Sequence, residues 1–166
     1  MKRGYRGRVV VTNGNYFPVS IAAMWGELTR DDVNAMGRHY RLMHERNHRF
    51  ASFVDSRHSF VPSAPMRRAL ADMSNEFEQA SKKNGVCVTV VIDSKVLIGV
   101  LTAVRWFVKP AVELRYFNTA IASVAHIGQR FAAEGIAMAP GTAEFLARLD
   151  TATEDMLPSF SDGRSE

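Results

Sequence analysis

The chain has 166 residues, 46% of them apolar and 23% charged, with a formal net charge of +4. These proportions are those of one globular domain with a real core, and no apolar run approaches the ~20 residues needed to span a bilayer. The arginines are spread along the chain rather than massed in a stripe, so a solvated mixed surface is preferred to a nucleic-acid partner. Cys87 is the single cysteine and lies inside a predicted strand, where a buried small hydrophobe is its expected role. With no disulfide framework and no signal-like segment, the sequence points to the cytoplasm.

The first predicted element is a strand over Arg8 to Thr12. Asn13-Gly14-Asn15 is a turn signal, and Tyr16 to Met24 reads as a second strand, bent near Pro18 as an edge strand would be. Thr29 is placed to cap a helix with Asp31 and Asp32 in its first turn. Val33, Met36, Tyr40 and Met43 give that helix one buried stripe, and it frays near Asn47. Arg49 to Asp55 is a short strand, and Ser56 to Pro62 a loop. A second helix starts after Ser63, with Pro65 in its first turn, and runs to a Gly85 cap.

Val86 to Ile92 is an almost unbroken β-branched run, suited to a strand buried on both faces. Asp93 and Ser94 start a third helix, which Lys109-Pro110 closes. Val112 to Phe117 is the last strand. Asn118 or Thr119 caps a fourth helix, and Gly135 ends it. Residues 136–141 read as a linker. From Thr142, Phe145, Leu149, Ala152 and Met156 trace an apolar stripe, and the tail after Pro158 has a disordered composition. The expected organisation is an α/β domain over residues 1–135, ordered β-β-α-β-α-β-α-β-α with a mixed, mostly parallel sheet. Residues 136–166 would form an appended linker, amphipathic helix and tail.

Three stretches carry a family resemblance: WGELTRDDVNAM, FASFVDSRHSFVPSAPMRRAL and GVLTAVRWFVKPAVELRYFNTAIASVAHI. In their order the chain resembles the STAS superfamily, and within it the SpoIIAA-like, Sec14-like branch of small bacterial proteins, over roughly Arg8 to Gly135. The resemblance implies a non-enzymatic regulatory or scaffolding module that acts by binding another protein and needs no cofactor. In the family's anti-sigma-factor antagonists, a serine at the start of the second helix is phosphorylated within Asp-Ser-Ser-Gly. The matching positions here are Pro62, Ser63, Ala64 and Pro65, so Ser63 falls on the acceptor, while the pattern's aspartate and glycine are absent. Capping alone also accounts for a serine at this position. A phosphate there would face a helix N-terminus with Arg67 and Arg68 nearby.

Outside the resemblance, His44-Glu45-Arg46-Asn47-His48 fits the HExxH zinc-hydrolase string. It is read as a decoy, because it ends a fraying helix, carries charged Arg46 inside it, and has no third ligand in a suitable context. Asp55, Ser56 and His58 read as a polar turn rather than a triad. Trp106, Phe107 and Val108 are consecutive, so at least one is exposed or covered by a partner, and a homodimer interface is one reading. The candidate partner-binding residues are thus Ser63, Arg67, Arg68, Trp106, Phe145, Leu149 and Met156. The alternative function is a small-molecule or lipid carrier of Sec14-like type, and the third a metal-dependent hydrolase using HERNH. A carrier needs an apolar cavity of hundreds of cubic ångströms, and a chain this short is expected not to enclose one.

Overall fold

The computed structural model describes residues 8–12, 15–105 and 111–152. Five strands form one sheet: β1 (Arg8–Thr12), β2 (Val19–Gly26), β3 (Phe50–Ser59), β4 (Gly85–Val91) and β5 (Glu113–Phe117), in spatial order β1-β2-β3-β4-β5. β1 pairs antiparallel with β2, and every later pair is parallel. The helices are α1 (Arg30–Glu45), α2 (Ala64–Glu76), α3 (Glu78–Asn84), α4 (Lys95–Arg105), α5 (Ala120–Glu134) and α6 (Thr142–Arg148). This is the mixed, mostly parallel α/β order expected from the sequence.

Strand alternation divides the core into two layers. One face carries Val19, Ile21, Ala51, Phe53 and Val91, packed against Ile127 and Phe131 of α5 and Phe145 and Leu146 of α6. The other carries Met24, Val54, Val88 and Val90. It packs against Val33 of α1, Ala69 and Leu70 of α2, and Leu97 of α4. Parallel strands that follow one another across a sheet need right-handed crossovers, which put their connecting helices on one face. Among the described residues no strand follows β5, so α5 and α6 are left to cover the other face.

The caps at Thr29, Ser94 and Thr119 are made as expected. Thr29 and Asp32 form a reciprocal capping box, Ser94 Oγ accepts from the Leu97 N–H, and Thr119 Oγ1 accepts from the Ala122 N–H. Gly135 closes α5 at φ 68°, a left-handed conformation that favours glycine.

Four local expectations are corrected. β2 lies between β1 and β3, so it is not an edge; Pro18 precedes it, and its carbonyl accepts from the Ala51 N–H. β3 continues past Asp55 to Ser59, because Arg57 is neutralised by the Asp55 carboxylate at 2.6 Å and can run beside the core. The second helix is broken at Phe77, whose ring turns inward toward Tyr40 and His44. Gly85 caps α3 rather than one continuous second helix, its N–H donating to the Ser81 carbonyl, and begins β4 in extended conformation. A Cβ there would lie 2.6 Å from the Ser81 carbonyl oxygen and 2.7 Å from Val112, so close approach is what requires glycine.

Cys87 is buried, and burial pushes its thiol up to about 11. No helix among the described residues is long and apolar enough to cross a membrane.

Candidate functional site

β3, β4 and β5 are adjacent and parallel, at roughly 4.8 Å per strand, so their carboxyl ends point the same way. β4 and β5 end level at Val91 and Phe117, opposite Asp55, and β3 continues beyond them to Ser59 beside Gly26 of β2. Each leads into a turn that starts a helix. The turn after β3 is anchored by the Phe60 N–H donating to the Gly26 carbonyl at 2.8 Å. Among the described residues, the large apolar side chains that stay exposed are Leu42, Phe60, Val61, Val96 and Ile121. Phe60 and Val61 sit on the turn after β3, while Val96 and Ile121 lie in the first turns of α4 and α5. Phe60 is 56% exposed, Val96 69% and Ile121 60%. An isolated exposed leucine needs no explanation, but four such side chains along one rim form a patch.

Ser63 stands on this rim. Its backbone takes the N-cap position of α2, with φ −61° and ψ 160°, yet its side chain makes no cap bond. The exposed hydroxyl is therefore not occupied by the role that sequence alone would give it. Arg67 donates from Nη1 to the Pro62 carbonyl at 2.9 Å and braces the turn from below. Arg68 is exposed.

The remaining predicted site residues separate from this rim. Phe145 and Leu149 are buried, 6% and 2% exposed, within the same core as the sheet. Phe145 stacks on Tyr16 at 4.5 Å. The segment carrying them is held by a buried ion network that sequence reading missed. Arg57 bridges Asp55 and Asp150, and donates to the Leu149 carbonyl. Asp150 also accepts from the N–H groups of Ala120 and Ile121 at the start of α5. Burial works against Arg57's charge, but its bonds to Asp55 and Asp150, and their charges, outweigh it and raise its pKa. Trp106 and Met156 lie outside the described residues.

The HERNH string is divided by the end of α1 at Glu45. His44 lies between the rings of Phe50 and Phe77, and burial lowers its pKa. His48 lies beyond the helix, past Asn47 at φ 53°, with its Nδ1 2.6 Å from the Arg46 carbonyl. The two imidazoles therefore do not sit one helical turn apart as the zinc string requires. No group of three metal-ligating side chains occurs among the described residues.

A second feature is a half-open apolar pocket, not a fully enclosed one. Between the β3–β5 part of the sheet and helices α1, α2 and α3 lies a cavity of about 260 Å³. Met24, Tyr40, Met73, Val88 and Leu114 are among its lining residues. Its signal in the sequence is faint. Val88 lies in the middle of a β-branched run that reads as fully buried, but in the structure it is only partly so.

No protein-family model matches the chain, and no curated protein matches it. Among solved structures, the chain is similar to an uncharacterized protein of the DUF3478 family, with a SpoIIAA-like fold, from Shewanella loihica PV-4. The identity is 12%, the match covers 73% of this chain and 93% of that chain, and the TM-score is 0.47. It is also similar to an anti-sigma factor antagonist from Mycobacterium paratuberculosis, at 14% identity over 74% of this chain and 95% of that chain, with a TM-score of 0.47. The mixed α/β fold stands on this chain's own strand order and pairing.

Proposed function

We propose that the protein is a non-enzymatic regulatory module that docks another protein on the carboxyl rim of its sheet. The observation that carries this reading is the exposure of Phe60 and Val61 on the turn after β3 and of Val96 and Ile121 in the first turns of α4 and α5, all at the carboxyl side of the sheet. Leaving such side chains exposed forgoes roughly 1.5–3 kcal/mol each in burial, and a partner that covers them recovers part of it. Ser63 lies within the same rim and is its regulatory point. A phosphate there would add charge beside the apolar patch at a helix N-terminus, with exposed Arg68 nearby. Phe145 and Leu149 are not part of the docking surface in this reading, since they are buried. A metal-dependent hydrolase using His44, Glu45 and His48 has no support in the geometry around them.

The experiment is capture of cellular proteins by the purified chain, compared with a Phe60→Ser/Val96→Ser double variant and with Ser63→Asp. All three are checked first for equal thermal stability. The expected result is a discrete partner that the wild type retains, the double variant loses and Ser63→Asp binds at least several-fold differently. A partner held equally by all three proteins would contradict the reading. A wild type that associates only with itself in sedimentation would make the rim a contact between copies and would also contradict it. The cavity supports a second reading, that of a small-molecule carrier.

A further inference from the structure

We propose that the cavity between the sheet and α1–α3 is a binding site for a compact, uncharged apolar molecule bearing one hydroxyl or carbonyl group. Three observations define that ligand. The first is size: about 260 Å³ lies between the ~150 Å³ cavity that takes up benzene and the ~300 Å³ at which drug-sized sites begin. A two-ring aromatic or a short branched hydrocarbon matches it, and a two-chain phospholipid does not.

The second is charge. Among the described residues, the twenty that line the cavity are uncharged, so none of them offers a carboxylate or phosphate held inside a cation to replace its lost hydration. The site thus differs from one for fatty acids or nucleotides held by their charged groups.

The third is the distribution of polarity. Most of the wall is aliphatic, aromatic or thioether, with Met24, Met36 and Met73 giving it adaptable, polarizable surface. The polar groups are the hydroxyls of Ser52 and Ser56 on β3, Tyr40 on α1, Ser74 on α2 and Ser81 on α3. Burial raises Tyr40's pKa, so it stays protonated. Each hydroxyl can both donate and accept, so they can take one further uncharged polar group. Val88 and Leu114 stand only partly buried on β4 and β5, although Val88's strand is central. That is the expected state of sheet side chains whose layer is completed by a ligand rather than by the chain.

The test uses 1-naphthol as the uncharged probe and 1-naphthoate as its charged counterpart, titrated calorimetrically into the full chain at pH 8. The expected result is saturable one-to-one binding of 1-naphthol, with 1-naphthoate at least tenfold weaker. Val88→Phe, which places a ring in the cavity, is expected to weaken 1-naphthol at least tenfold while melting at or above the wild-type temperature. Should that variant not fold, amide chemical shifts of the wild type give the location. On adding 1-naphthol the changes are expected to concentrate at Tyr40, Ser52, Val88, Leu114 and Tyr116. Equal binding of the two probes, no saturable binding of 1-naphthol, undiminished binding by a folded Val88→Phe, or shift changes centred elsewhere would each overturn the proposal.

Discussion

Four residues show how far a side chain's role departs from its type. Thr29 and Ser63 both stand at N-cap positions, but only Thr29 makes the bond. Thr29→Ala is therefore expected to cost about 1 kcal/mol in urea unfolding, and Ser63→Ala to stay within about 0.5 kcal/mol of wild type. Gly85→Ala is expected to cost about 1–3 kcal/mol in the same measurement, because its Cβ would meet a backbone oxygen that cannot move aside. His39 is buried on α1 with its Nε2 2.9 Å from Ser20 Oγ. Burial first, and then the charge of Arg46, lowers its pKa from 6.5 to about 4. The unfolded chain thus takes up the proton more readily than the fold does. This contribution is complete above pH ~6.5 and is lost as the pH falls from 6.5 toward 4, amounting to about 3 kcal/mol. Unfolding free energies measured across that window are expected to fall more steeply for wild type than for His39→Gln. The Thr29 cap was legible in the sequence because Asp32 sits three residues on. His39 also lies at stripe spacing from Met36 and Met43, but its polarity hid it.

At the scale of elements, the C-terminal segment decides how far the folding unit extends. The sequence expectation placed residues 136–166 outside the domain, as an appendage that could be removed. Phe145, Leu146 and Leu149, however, occupy the same core as Phe53 and Phe131, and Asp150 both pairs with Arg57 and caps α5. Truncation after Ile136 is expected to abolish the cooperative thermal transition, since it removes Phe145, Leu146 and Leu149 from the core and the Asp150 partner of Arg57. Arg57→Met is expected to cost about 3–5 kcal/mol in urea unfolding, because it leaves the Asp55 carboxylate buried without its cation. A truncated chain that melts like the full one would return the segment to the status of an appendage. The strands of this fold were legible as β-branched runs, and the caps of α1, α4 and α5 as short polar residues. The break at Phe77 was not, because that residue continues the apolar stripe of α2 at helical spacing. The extension of β3 was hidden because its polar residues are buried by pairing with partners distant in sequence.

At the scale of the molecule, the order of elements could be read from periodicity and punctuation, while the two surfaces of interest could not. The rim patch arises because residues 60, 96 and 121 are brought together by strands that are adjacent only in the fold. The cavity arises from spacing between layers, which no single stretch encodes. The two features lie at different places, the rim at the strand ends and the cavity beneath α1–α3, so each can be tested alone. The central claim is docking at the rim. Its most direct measurement is photo-crosslinking in cells with a benzophenone amino acid placed at Val61, at Val96 and, as a control, at Leu42. Leu42 is also exposed but lies on α1, away from the rim turns. The account predicts a discrete adduct with a second protein from Val61 and Val96 and none from Leu42. Absence of any adduct at the rim, or equal adducts from Leu42, would contradict it.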